Sequence, residues 1–138
     1  MREKDGVKYY NDSIASSPTR TIAGLKAFDK KVILLAGGYD KHIPFEPMAP
    51  YVTEKVKLLL LCGPTADAIE AAVMSDENYS DGCPEIIKTA SLEESIELAH
   101  KRAVSGDIVT LSPACASFDA FPNFAARGKF FKEKVNNL

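Results

Sequence analysis

The chain has very little with which to hold a metal ion. Only two of its 138 residues are His (His42 and His100) and three are Cys (Cys62, Cys83 and Cys115), with no CxxC spacing. A structural zinc site draws its ligands from clustered His and Cys, so no metal site is expected. An odd number of unpatterned cysteines also fits a reducing, cytoplasmic compartment better than a disulfide framework. A surplus of positive charge is lacking too: 17 Lys and Arg against 19 Asp and Glu leave a formal net charge of -2. Binding to nucleic acid or a membrane surface needs a concentrated basic face, so neither partner is expected. No apolar run approaches the roughly 20 residues that span a bilayer. The opening Met1-Arg-Glu-Lys-Asp-Gly6 carries no apolar core of the signal-peptide kind. No GKT or GKS phosphate loop, internal repeat or low-complexity tract occurs.

What is present alternates between strand-like and helix-like segments, the pattern of a βα-repeating sheet. Val7 to Tyr10 reads as a short first strand, and Ser17-Pro18 starts a helix with Ile22, Leu25 and Phe28 on one face. Val32 to Ala36 and Lys57 to Cys62 are continuous apolar runs, as expected of strands covered on both faces. A helix over about Thr65 to Met74 and a short edge strand at Glu85 to Lys88 follow. Ser91-Leu-Glu-Glu94 is a capping box, and the helix it opens is expected to stop at Gly106. Ile108 to Leu111 reads as another buried strand. The last helix, about Pro122 to Val135, aligns Phe124, Gly128, Phe131 and Val135. Tyr39 to Pro50, with three prolines, and Ser75 to Pro84 read as irregular. The expected fold is α/β: one domain with a three-layer, doubly wound, mostly parallel, Rossmann-like sheet. Residues 1–8 read as a linker or the start of that domain, and 9–138 as its body.

Three unusual segments directly follow expected strands: Asn11-Asp12-Ser13, Gly37 to His42, and Ser112 to Asp119. If those strands are parallel, all three loops share the rim where open α/β sheets bind ligands. Each residue has a plain reading beside the functional one. Gly37-Gly38 allows close backbone approach to a ligand, or simply turns the chain. Lys41 offers a point charge for a carboxylate or phosphate, or is a solvated surface lysine. Asp12 could accept from ribose hydroxyls, or make an Asx-turn. Ser117 could donate to a carboxylate, or cap the last helix, as could Asp119. Phe124 could lie over a ligand, although its spacing with Phe131 favours the core. Cys115 is the right type for a nucleophile, but no general base can be assigned to it, and a small buried residue is the better reading. His42 and His100 read as surface residues.

Taken together, Asn11-Asp-Ser13 with Thr21-Ile-Ala-Gly-Leu25, Ala36-Gly-Gly38 with Lys41, and Gly106-Asp107 through Leu111-Ser-Pro-Ala-Cys-Ala-Ser-Phe-Asp119 with Asn123-Phe124 and Arg127-Gly128 resemble one family. It is the Mur ligases, cytoplasmic ATP-dependent amide ligases of peptidoglycan synthesis, and within them the branch that adds D-glutamate. The resemblance runs from about Gly6 onward and implies the mobile C-terminal domain. The N-terminal domain that holds the UDP-sugar and the central one with the phosphate loop are not represented. It implies that Ser16, Lys41, Ser117, Phe118 and Phe124 surround D-glutamate and that Asp12 meets the nucleotide. ATP, Mg and UDP-N-acetylmuramoyl-L-alanine are the implied further ligands, with Mg held mainly by the other domains and not needed for folding. No residue here is implied as an acid, base or nucleophile, and the isolated domain is expected to be inactive. The chain departs from the family's pattern at Ile14, where Lys is common, at Ser16 in place of Thr, and at Tyr39-Asp40. The alternative reading is a stand-alone α/β module for a small anionic ligand; a Cys115 hydrolase is a third.

Overall fold

A computed structural model describes residues 2–39, 41–80, 82–117 and 120–138. Strands β1 (Arg2–Lys4), β2 (Val7–Asn11), β3 (Val32–Ala36), β4 (Val56–Leu61), β5 (Glu85–Lys88) and β6 (Ile108–Leu111) form one sheet in the order β1-β2-β6-β3-β4-β5. All neighbours pair in parallel except β1, which folds back on β2 as an antiparallel hairpin. That hairpin was not foreseen; its turn is Asp5-Gly6, both at positive φ, as a tight reversal requires. β5 is the edge strand expected at Glu85–Lys88.

The residues of β3 and β4 alternate between the two faces, as the two-residue period of a strand demands. Val32, Leu34, Leu59 and Leu61 join Leu25, Val52, Ile69 and Val73 in one core, under α1 (Pro18–Lys26), α2 (Ala49–Lys55) and α3 (Ala66–Met74). Ile33, Leu35, Leu58 and Leu60 join Ile96, Phe131 and Val135 in the other, under α4 (Leu92–Arg102) and α5 (Phe124–Asn136). The result is the expected three-layer, doubly wound architecture. Among the described residues, no helix is long and apolar enough to cross a membrane.

The sequence reading of local structure needs correcting in several places. The proline-rich stretch before Pro50 does not stay irregular: Glu46–Met48 is a turn of 3₁₀ helix and α2 follows directly. Pro47 and Pro50 each stand in a first turn, where a missing N–H costs nothing and the fixed φ suits a helix. Helix α4 keeps its Ser91 cap, whose hydroxyl accepts from Glu94 N–H at 3.1 Å, but ends at Arg102, short of Gly106. Ala103 is already extended there, and the Asp107 carboxylate takes the Val104 N–H. The cap of α5 is Asn123, accepting from Ala126 N–H at 2.8 Å, and not Ser117. His100 is not a free surface residue, since its Nδ1 lies 3.3 Å from the Tyr9 hydroxyl.

Candidate functional site at the carboxyl edge of the sheet

Because β2, β6 and β3 are parallel neighbours, the loops that leave them emerge side by side at one edge. The loop after β6 lies in the middle and is laced to both others. Asp12 N–H donates to Leu111 O at 2.8 Å, and Ala114 N–H to Ala15 O at 2.9 Å. On the other flank, Gly37 N–H donates to Pro113 O at 3.0 Å, and Tyr39 N–H to Ala116 O at 2.9 Å. Among the described residues, the three segments singled out by sequence are therefore joined to one another by backbone hydrogen bonds.

The glycines make this lacing possible. Gly37 has φ +110°, and a Cβ there would lie 2.0 Å from the Cys62 carbonyl oxygen. A Cβ on Gly38 would meet the Ala116 carbonyl at 2.6 Å. The pair is thus a tight backbone crossing, and the buried Thr65 hydroxyl secures it, sitting 3.0 Å from Gly38 N and 3.1 Å from Gly38 O.

Arg127, buried on the first turns of α5, ties the loops together from below. Its Nε donates to Ser13 Oγ at 2.9 Å, Nη1 to the Cys115 carbonyl at 2.9 Å, and Nη2 to the Ser13 carbonyl at 2.7 Å. Nη2 also faces Ser16 Oγ at 3.4 Å. Ser13 in turn donates its hydroxyl to Phe124 O at 2.8 Å, which fastens the start of α5 to the first loop. A planar, permanently charged fork is suited to holding several fixed oxygens at once. Sequence reasoning missed Arg127 and Thr65 as organisers of the site. The Arg127-Gly128 pair was the available signal, since Gly128 lets α5 approach Asn11, whose Nδ2 would lie 2.9 Å from a Cβ there.

The expected ligand residues fall as follows. Ser16 and Lys41 come together: both line one small cleft with Tyr39, Ile43, Phe45, Ala114 and Cys115. The cleft itself holds about 10 Å³, room for little more than a water, so a larger ligand would lie across its mouth. Lys41 is exposed and Ser16 half-buried. Ser117 is buried on the same edge, next to the Ala116 that bridges to Tyr39, and its carbonyl accepts from Ala120 and Phe121 N–H. Phe124 stands in the first turn of α5 and is 45% exposed, so its helical spacing with Phe131 does not make it core. Phe118 and Asp119 lie outside the described residues.

Asp12 does not line the cleft. Its Oδ2 accepts from the Ser112 hydroxyl at 2.9 Å and packs against Gly24 of α1. Burial pushes its carboxyl above the usual aspartate range, against the opposing pull of the Ser112 hydroxyl and the Arg20 charge. Cys115 is buried with Sγ 3.3 Å from the Thr65 hydroxyl, as expected of a small interior residue rather than an exposed thiolate. Among the described residues, no group of three or more His, Cys, Asp or Glu could hold a metal ion. A second cavity, of about 220 Å³, opens on the α4–α5 side of the same edge and shares Gly38 and Arg127 with the site.

Comparison with known proteins bears on this edge directly. The sequence model of the family described as "Mur ligase, glutamate ligase domain" matches residues 1–115. The chain is 59% identical over its full length to the UDP-N-acetylmuramoylalanine--D-glutamate ligase of Clostridium perfringens. It is 60% identical, again over its full length, to the enzyme of that name from Clostridium acetobutylicum. In both cases it spans 30% of the relative's own length. Among solved structures, a domain from a Haemophilus ducreyi protein described as a UDP-N-acetylmuramate:L-alanyl-gamma-D-glutamyl-medo-diaminopimelate ligase superposes with TM-score 0.62. That match covers 95% of this chain and 89% of the other at 11% identity, and so speaks for the fold alone. With the family match covering the first two loops and entering the third as far as Cys115, the chain belongs to the Mur ligase, glutamate ligase domain family.

Proposed function

We propose that this chain is the amino-acid-binding domain of an ATP-dependent ligase that joins D-glutamate to UDP-N-acetylmuramoyl-L-alanine in the cytoplasm. The observation that carries the reading is the meeting of Ser16 and Lys41 at one cleft, on loops fixed by Arg127, in a chain of the glutamate ligase domain family. D-Glutamate brings two carboxylates and one amine. Lys41 supplies the cation for a carboxylate, and the Ser16 and Ser117 hydroxyls supply donors in fixed positions. Phe118 and Phe124 flank the aliphatic part of the ligand. The free amine then faces away from the domain.

The reaction places ATP's γ-phosphate on the carboxylate of the UDP-sugar substrate. The amine nitrogen of D-glutamate attacks the acyl carbon, and phosphate departs. This domain contributes no general base or nucleophile to those steps; it positions the amine and supports charge. Asp12 offers a carboxylate oxygen to the nucleotide ribose. Mg would be held chiefly by the rest of the ligase.

The test is ADP release by the full-length ligase with the UDP-sugar substrate, measured with and without D-glutamate. The expected result is turnover that depends on D-glutamate, with none from the 138-residue chain alone. Turnover by the isolated chain, or indifference to D-glutamate, would contradict the assignment.

A further inference from the structure

Thr65 stands at the cap position of α3, where a threonine hydroxyl ordinarily accepts from its own helix. Here it makes no such bond. The buried side chain turns instead to the loop after β3, with Oγ1 3.0 Å from Gly38 N and 3.1 Å from Gly38 O. The same Oγ1 lies 3.3 Å from Cys115 Sγ, in the loop after β6. A hydroxyl has one proton to give and two lone pairs. Donation to Gly38 O, with acceptance from Gly38 N–H and the Cys115 thiol, satisfies all of these groups at once. The hydroxyl available to α3 joins two loops instead.

We propose that Thr65 is a positioning residue that fixes the span between Lys41 and Ser117, and with it the length of amino acid the site accepts. The proposal rests on the functional reading above. Gly37 and Tyr39 bond directly to the loop after β6, through Pro113 O and Ala116 O. Gly38, between them, gives both its backbone groups to Thr65. Lys41 stands three positions beyond Gly38, and Ser117 two beyond Cys115, so the junction lies at the root of both ligand-bearing segments. A ligand with a carboxylate at each end must meet the cation and the hydroxyl donors together. D-Aspartate is shorter than D-glutamate by a methylene. A rigid junction rejects the shorter ligand because one of its ends is left without a partner, whereas a loose junction adapts to it. Without the Thr65 hydroxyl, the Gly38 N–H and C=O lose buried partners, and the loop carrying Lys41 shifts against the one carrying Ser117.

The test compares D-glutamate with D-aspartate in the full-length ligase, as a ratio of kcat/KM values, with the KM for ATP measured alongside. Thr65→Val keeps the shape and removes the hydroxyl. It should raise the D-glutamate KM about tenfold, leave kcat and the ATP KM within about twofold, and lower the preference for D-glutamate at least about fivefold. Thr65→Ser keeps the hydroxyl and should keep the preference. If Thr65→Val does not fold, Cys115→Ala takes away one arm of the junction and should lower the preference in the same direction, while Cys115→Ser retains a donor and holds it. If the wild type does not turn over D-aspartate, turnover by the variant supports the proposal and its absence overturns it. An unchanged preference in the variant measured, or a loss in Thr65→Ser as large as in Thr65→Val, also overturns it. Failure of the wild type to incorporate D-glutamate would instead overturn the functional reading beneath it.

Discussion

Replacing Arg127 by Ala tests the idea that one buried guanidinium assembles the site. The substitution takes donors from the Ser13 carbonyl, the Cys115 carbonyl and the Ser13 hydroxyl, and removes the longer contact to Ser16. A buried acceptor left without a partner costs roughly 1–3 kcal/mol. Water entering the space vacated by the side chain would restore part of that. The net loss should be about 3–5 kcal/mol, the scale of breaking a buried charged network, out of a total stability of about 5–15 kcal/mol. Urea denaturation of the 138-residue chain measures it as a shift of midpoint at unchanged slope. Arg127→Lys keeps the charge but cannot reach oxygens on three sides, so it should recover less than half of the loss. In the full-length ligase both variants should raise the D-glutamate KM, because Ser16 and the loop after β6 lose their common tether. A stability loss below about 1 kcal/mol in Arg127→Ala would show that these acceptors find other partners, and the reasoning would fail.

The other predictions are narrower. Gly37→Ala should cost well over about 2 kcal/mol, since it adds a Cβ 2.0 Å from the Cys62 carbonyl at φ +110°. Gly82→Ala, at φ +79° with nothing within 4 Å, should cost only about 1 kcal/mol; equal losses in thermal unfolding would refute the close-approach argument. Burial pushes the Asp107 carboxyl up, but the Lys57 hydrogen bond, the Val104 N–H and the charges of Lys57 and Lys30 outweigh it and hold it below the usual range. A depressed carboxyl stabilises the fold above its unfolded pKa of about 4 and loses that effect as pH falls through its folded value. Asp107→Asn should therefore be less stable than wild type at neutral pH, with the gap closing on acidification; a gap that widened would contradict the sign.

The parallel sheet and its carboxyl-edge loops were legible because both rest on local patterns. Continuous runs such as Val32 to Ala36 are read correctly as strands buried on both faces, and strand direction then brings the loops together. What escaped notice depended on contacts between residues far apart in the chain. Arg127 lies 114 positions from Ser13, and the adjoining Gly128 was the one local signal that its helix packs closely. Thr65, one residue before α3, closes on Gly38 across another loop. The prolines before Pro50 misled because the same residue that breaks a helix interior also favours its first turn, and only the structure shows which position each occupies. Phe124 followed the helical period of the core, but it opens the first turn of α5 and is exposed.

The central claim is that Lys41 and Ser16 together grip the amino-acid substrate, and the full-length ligase with Lys41→Ala tests it most directly. Removing a point charge that pairs with a substrate carboxylate should raise the D-glutamate KM by about tenfold to a hundredfold, the effect of losing about 1.5–3 kcal/mol. The KM for ATP should move little. Equal increases for both substrates, or no change for D-glutamate, would contradict the account.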